Sequence, residues 1–225
     1  MFSKILSLNL FIALITAYVL PDTPFSGSSL SSRAVVSAAD ILLKIAPSSN
    51  TCTGADVPSE CATNVQAAPY LIAAMAQYKI FNPHEIAAVL SLVALESGEF
   101  KYSTNHFPAP GRPGQGTRNM QMPNFNLMYA KSIPELAAKV GAITTASTTS
   151  GLSDDQLNAI RALVLPDAYS WGSAPWFLVT QCPDSRKAIQ AGGPAGLAAY
   201  MACVGTSVTD DRTKYYTRAT EAFGL

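Results

Sequence analysis

Charged side chains are scarce in this chain. They make up 13% of its 225 residues, and 15 acidic and 15 basic residues cancel to zero net charge. The sequence therefore has no basic stripe of the kind that binds nucleic acid. With only two histidines and no Cys-x-x-Cys pair, neither a zinc site nor any other cofactor is expected. Uncharged polar loops instead favour a neutral or weakly charged ligand.

A long apolar run occurs only at the start of the chain. Lys4 precedes a mostly apolar stretch that ends near Leu20, which is typical of a signal peptide and too short for a membrane span. The Ser/Pro/Gly-rich stretch 21–33 predicts a disordered lead-in or pro-segment. We therefore expect residues 1–20 to be removed, and the mature protein to be secreted, extracellular and not membrane-bound.

The four cysteines all lie in the predicted mature part, at Cys52, Cys61, Cys182 and Cys203. An even number in an exported chain indicates two disulfides, for which three pairings are possible. We favour the two local pairings, Cys52–Cys61 and Cys182–Cys203, because the first closes a polar loop and the second joins two predicted helices.

Helical periodicity runs through almost the whole mature sequence, and strand-like alternation is scarce. The pattern predicts a single all-α domain over residues 34–225. The predicted helices span residues 34–45, 65–80, 83–98, 132–145, 153–165, 167–181, 183–191, 194–204 and 209–223.

One long irregular segment, residues 101–124, interrupts the helices. It contains four prolines and three glycines, and it carries many hydrogen-bonding side chains. Long loops without secondary structure are uncommon in compact domains and are usually functional. We expect this loop to form one side of a ligand cleft, with Tyr102 or His106 as a wall.

Glu96 is the strongest candidate for chemistry. It extends the apolar stripe of the helix predicted over residues 83–98, where a surface glutamate would lie on the opposite side. A carboxyl group among apolar side chains keeps its proton longer, because burial penalises the charged form. The negative end of the helix dipole and the nearby Glu99 add to this effect. Such a group is suited to general acid catalysis.

Three short motifs, in order, resemble the soluble lytic transglycosylase and goose-type lysozyme branch of the lysozyme-like superfamily. Glu96-Ser97-Gly98 matches the Glu-Ser element that carries the catalytic glutamate of that family. The stretch from Arg118 to Gln121, 25 residues beyond the glutamate, is similar to its Gly-Leu-Met-Gln element. Ala199-Tyr200-Met201-Ala202-Cys203 is similar to its Ala-Tyr-Asn-Ala-Gly element. The chain departs from these motifs at Arg118, Met201 and Cys203.

The resemblance implies a lysozyme-like helical domain that cleaves β-1,4-linked polymers of N-acetylated amino sugars, such as peptidoglycan or a chitin-like polymer. Glu96 would act as general acid and then as general base, with the substrate's own acetamido or hydroxyl group completing the displacement. The other residues expected to bind the substrate are Gln121, Tyr200, Met120, Asn119, Tyr102 and His106.

Two other hypotheses remain open at this point. The same scaffold, with its altered motifs, could bind a cell-wall glycan or a protein partner without cleaving anything. Alternatively, the chain could be a small helical secreted protein with a structural role, in which Glu96 is a polar residue of the core.

Overall fold

A computed structural model describes residues 36–225, so the predicted signal peptide and lead-in lie outside the described residues. Within that range the chain is helical and contains two disulfides, as the sequence predicts. It forms no strand there, only isolated β-bridges from Gly116 to Thr104 and to Gln121. The α-helices are α1 (Ala38–Ile45), α2 (Asn64–Gln77), α3 (Pro83–Glu96), α4 (Pro123–Ser132), α5 (Pro134–Ile143), α6 (Asp154–Val164), α7 (Asp167–Ser170), α8 (Ser173–Gln181), α9 (Arg186–Ala191), α10 (Gly193–Cys203) and α11 (Asp210–Phe223).

Helix boundaries differ from the predicted spans in three places. Helix α4 was not predicted, because its sequence follows directly on the Pro-rich loop. Helix α5 begins two residues later than the predicted span, after the N-cap Ile133, which makes no side-chain cap. The helix predicted over 167–181 is broken at Trp171 and Gly172, where the Trp171 indole donates a hydrogen bond back to Asp167.

Helix α3 lies at the centre of the described fold. Nine of its 14 residues are buried, so it is enclosed on most sides rather than amphipathic. Its most extensive packing is against α11, the last helix of the chain. Trp171 and Trp176 are both almost fully buried and pack in the core. This arrangement fixes the end of α3, and therefore Glu96, against α11.

Helix α3 begins at an N-cap but without a capping box. Asn82 caps the helix, accepting hydrogen bonds from the backbone N–H groups of His84 and Glu85. The Glu85 carboxylate turns inward instead and is 1% exposed. It accepts two hydrogen bonds from Arg186 of α9, at 2.6 and 2.9 Å. Glu85 is thus half of a buried ion pair that joins α3 to α9.

The disulfides join Cys52 to Cys61 and Cys182 to Cys203, the two local pairings that the sequence favours. The first closes a short loop between the 3₁₀ helix Pro47–Asn50 and α2. The second ties the end of α8 to the end of α10. No helix among residues 36–225 is long and apolar enough to cross a membrane.

Arg118 lies within the irregular segment after α3, and its buried side chain holds that segment in place. This side chain is 6% exposed, and its guanidinium lies 4.3 Å from the centre of the Trp171 ring. It donates hydrogen bonds to the backbone carbonyls of Glu60, Phe100 and Tyr102. Burial lowers the pKa of Arg118, and the charge of Asp167 opposes this effect. An arginine at this point therefore joins the loop to the disulfide-closed segment.

We expect Arg118→Met to loosen the loop without unfolding the helices. Losing the charged donor leaves the carbonyls of Glu60 and Tyr102 without a partner among the described residues, while that of Phe100 keeps the Ala62 N–H. The loss should cost about 2 kcal/mol of unfolding free energy. Amide hydrogen exchange should accelerate between residues 97 and 122 and change little in α3. Arg112→Met, an exposed position in the same loop, is the matched control. Equal exchange in both variants would contradict the role of Arg118.

Candidate functional site

The chain turns sharply as it leaves α3. Gly98, Glu99 and Phe100 all have positive φ, between 57° and 72°. This region is costly for residues other than glycine, and it persists only where surrounding contacts enforce it. Phe100 is buried edge-on against Trp171, with ring centres 5.4 Å apart. Ser97 is fully buried and donates to the carbonyl of Val93, so it is structural rather than a nucleophile.

Glu96 is the last residue of α3, and its side chain is 27% exposed. Its Oε1 accepts a hydrogen bond from Arg212 of α11 at 3.1 Å. Oε2 has no hydrogen-bond partner within residues 36–225 and is accessible. The expectation of a carboxyl group set among apolar side chains is therefore incomplete, because the tertiary fold brings a guanidinium to it.

The negative charge of Glu99 is paired with other groups and is not left free next to Glu96. It accepts hydrogen bonds from the backbone of Ser48 and from the Tyr215 hydroxyl, and Arg218 lies 3.4 Å away. Burial alone would raise the pKa of Glu99, but these hydrogen bonds and the positive charge of Arg218 bring it below its ordinary value. The carboxylates of Glu96 and Glu99 thereby join the end of α3 and the turn that follows it to α11.

Glu96 and Gln121 line the same surface depression, a cavity of about 220 Å³. Apolar walls come from Leu92 and from Phe125 and Phe177, whose rings meet edge to face at 4.7 Å. The other lining residues are Gln115, Asn119, Met120, Met122, Val204, Gly205, Thr206 and Arg212. Such a mixture of aromatic side chains and a few polar groups is typical of ligand sites.

The Gln121 amide is fixed in one orientation. Asn126 uses its amide nitrogen to donate to the carbonyls of Gly114 and Gln121, so its Oδ1 accepts from Gln121 Nε2 at 2.7 Å. This leaves Gln121 Oε1 buried and without a hydrogen-bond partner among the described residues. Unsatisfied buried acceptors are uncommon and costly. A ligand N–H or O–H donor in the depression would satisfy this oxygen.

Asn119 and Met120 also lie in the depression, as the sequence predicts for the loop. The Oδ1 atom of Asn119 accepts from Thr117 at 2.8 Å and from Ser173 at 2.6 Å, which leaves its amide nitrogen as an available donor. The Met120 carbonyl accepts from Gln115. The depression therefore presents both an amide acceptor and an amide donor next to Glu96.

Tyr200 is fully buried and does not line the depression. Burial raises the pKa of the Tyr200 phenol, and the charge of Glu96 raises it further. One turn later, at the C-cap of α10, Val204 forms part of the wall. Tyr200 thus lies behind the site, within electrostatic reach of Glu96, and direct substrate contact by it stays a prediction.

Tyr102 and His106 are not among the residues that line the depression. The Tyr102 hydroxyl donates to Asp56 at 2.6 Å, and His106 lies 3.0 Å from Glu60. Both partners belong to the loop closed by the first disulfide, so the structure does not place these side chains as a wall of the Glu96 site. Local sequence patterns do not distinguish this end of the loop from the end that lines the Glu96 depression.

Glu60 anchors the end of the irregular segment that lies away from the Glu96 depression. It accepts hydrogen bonds from the backbone of Ser103 and from the backbone and hydroxyl of Thr104, as well as contacting His106. Burial alone would raise the pKa of Glu60, but these hydrogen bonds lower it below its ordinary value of 4.5. The ionised carboxylate therefore stabilises the folded state.

This shift predicts an acid-sensitive contribution to stability. Since the folded-state pKa is lowered, the contribution of Glu60 is present above pH 4.5 and is lost as the pH falls through the folded value. Glu60→Gln should lower the urea midpoint at pH 7 and change it much less at pH 3. Glu221→Gln, an exposed position on α11, is the control. Equal losses at both pH values would contradict this assignment.

Arg212 is the main residue that sequence reasoning missed. It lies 116 positions from Glu96, and nothing local to either residue links them. The spacing of Arg212, Tyr215 and Arg218 on one side of α11 was the available signal, because it predicts a stripe that binds acidic partners. No group of three His, Cys, Asp or Glu residues in the described range could hold a metal ion.

Among curated proteins, the chain is similar to a bifunctional dioxygenase (DOX)-epoxy alcohol synthase (EAS) from Fusarium oxysporum (strain Fo5176). The two are 51% identical over 162 residues, which cover 71% of this chain and 12% of the Fusarium protein. The chain therefore spans a small part of that relative, and the relative's name describes a much longer protein. No family model matches the chain, and no solved structure matches it.

Proposed function

We propose that this protein is a secreted enzyme that cleaves β-1,4-linked polymers of N-acetylated amino sugars, with Glu96 as general acid and base. We further propose that its helices form a divergent lysozyme-like domain of the soluble lytic transglycosylase and goose-type branch. The observation that carries this proposal is that Glu96 and Gln121 line one depression and that the buried side-chain oxygen of Gln121 has no hydrogen-bond partner among the described residues. An acetamido N–H is a donor of the kind that this acceptor requires.

In this mechanism the Oε2 atom of Glu96 donates a proton to the glycosidic oxygen, while Arg212 remains hydrogen-bonded to Oε1. The acetamido oxygen or a hydroxyl of the substrate then attacks the anomeric carbon as the glycosidic bond breaks. Glu96 then acts as general base and recovers its proton, either from the water that opens the acetamido intermediate or from the attacking hydroxyl. Gln121 and Asn119 orient the sugar, and the Phe125–Phe177 pair offers an apolar surface to its ring.

A second candidate function is glycan binding without cleavage, and the Arg212–Glu96 ion pair favours it. A carboxylate whose neighbour is a guanidinium serves well as a fixed hydrogen-bond acceptor, which is what a binding site needs. In that function Glu96 would accept from sugar hydroxyls, and no bond would break.

Turnover separates the two functions. Purified wild-type protein would be incubated with insoluble peptidoglycan and with chitin, and soluble fragments measured by mass spectrometry. Fragment release supports the enzyme, and the fragment ends show whether water or an internal hydroxyl completed the reaction. Binding to either polymer without release supports the second function. The absence of both binding and release would contradict each of them.

A further inference from the structure

A second cavity, separate from the Glu96 depression, lies between the start of α10, the start of α3 and one side of α11. Its volume is about 320 Å³. Nothing in the proposed reaction uses it. Its walls combine apolar side chains, including Leu197 and Val208, with His84, Tyr216 and three threonines of α11.

Tyr216 is the most unusual group in this cavity. The residue is 6% exposed, and its hydroxyl has no hydrogen-bond partner among the described residues. The backbone N–H of Gly193 approaches the phenol but does not meet it in hydrogen-bonding geometry. A buried hydroxyl without a partner is costly, and it indicates a missing partner.

His84 also lines the cavity, and it carries a second unsatisfied atom. Its Nδ1 is buried without a partner among residues 36–225. The ring packs so closely on the chain before α10 that a Cβ atom on Gly192 would lie 2.3 Å from Nδ1. Only glycine allows the imidazole to lie there, so the backbone at the start of α10 is shaped around this ring.

The start of α10 supplies the third feature. Helix α10 has 11 residues, and its N-cap, Gly192, makes no side-chain cap. The first N–H groups of a helix have no partner within it, and they carry the positive end of the helix dipole. Gly193, the first residue of α10, lines the cavity next to Tyr216. This is the arrangement by which helix starts bind anions.

We infer that this cavity binds a small organic carboxylate. The Gly193 N–H and the Tyr216 hydroxyl would donate to its oxygens, with His84 alongside. Among the described residues that line the cavity there is no Lys, Arg, Asp or Glu side chain, so no cationic side chain is present to hold a phosphate dianion. The apolar walls would cover the remainder of a short aliphatic acid.

The first test is a titration of the full chain, labelled with ¹⁵N, with sodium acetate at constant ionic strength. We expect a saturable shift of the Gly193 amide signal with acetate, and none with sodium chloride or with acetamide, the uncharged isostere. No saturable shift, or an equal response to acetamide, would overturn the inference. The Glu96 depression is not involved, so this result is independent of any glycan activity.

Two variants locate the binding. Tyr216→Phe removes a donor to a charged ligand and should weaken acetate binding roughly ten-fold or more. Its thermal stability should stay at the wild-type value or rise, because the hydroxyl has no partner to lose. His84→Leu should also weaken acetate binding, and it replaces Tyr216→Phe in the test if that variant does not fold. Wild-type affinity in either folded variant would overturn the assignment.

Discussion

Glu96→Gln is expected to abolish measurable glycan cleavage while leaving the fold intact. The amide is nearly the same size as the carboxyl group, and its oxygen can still accept the hydrogen bond from Arg212. It cannot deliver and recover a proton, a role whose loss costs about 10²- to 10⁴-fold in rate. The measurement is the initial rate of soluble fragment release from whichever polymer the wild-type protein cleaves.

Glu135→Gln, on the exposed face of α5, is the matched control and should keep the wild-type rate. The melting temperature of Glu96→Gln, compared with wild type, separates loss of chemistry from loss of fold. Equal rates for wild type and Glu96→Gln would refute the enzymatic proposal. Glycan binding that survives in Glu96→Gln, in a protein that shows no turnover, would support the binding function instead.

The largest loss of stability is expected from Arg186→Met. Glu85 is 1% exposed, and Arg186 provides both of the hydrogen bonds recorded for its carboxylate. Removing one partner of a buried ion pair leaves an uncompensated charge, which typically costs about 3–5 kcal/mol. Because Arg186 itself is 28% exposed, we expect about 3 kcal/mol. For a chain of this size that corresponds to a fall of about 6–12 °C in melting temperature.

The double variant Glu85→Leu/Arg186→Met distinguishes an unpaired charge from lost packing. Removing both charges should recover much of the stability, since apolar replacements of buried ion pairs are often neutral. Lys187→Met, the exposed neighbour of Arg186 on α9, controls for the loss of one positive charge and should melt near wild type. A double variant as unstable as Arg186→Met alone would show that shape, rather than charge, determines the loss.

Local sequence patterns were sufficient for most of the helical architecture. Apolar periodicity and caps such as Ser153 act over a few residues, and the structure has helices close to eight of the nine predicted spans, with the ninth broken at Trp171. The disulfide pairing also followed from short separations, 9 and 21 residues. Helix α4 and the break at Trp171 escaped prediction, because loop composition and tertiary hydrogen bonds override local preference there.

The sequence identified only part of the candidate site. Glu96, Asn119, Met120 and Gln121 were identified from the end of a buried helix and a polar loop, and all four line one depression. Tyr102 and His106 belong to the same loop, yet they face the Glu60 end of it. A loop of this length has no periodicity, so the sequence could not say which of its side chains share a surface.

By itself, the sequence determined the helical class and the position of Glu96 at the end of a buried helix, and it favoured the two local disulfides, because each depends on neighbours close along the chain. Only the tertiary structure decided that Arg212 meets Glu96, that Arg186 neutralises Glu85 and that Tyr216 is enclosed without a partner. These contacts join residues 116 and 101 positions apart in the first two cases. Charge pairing and burial depend on distance in space, which no local pattern of residues encodes.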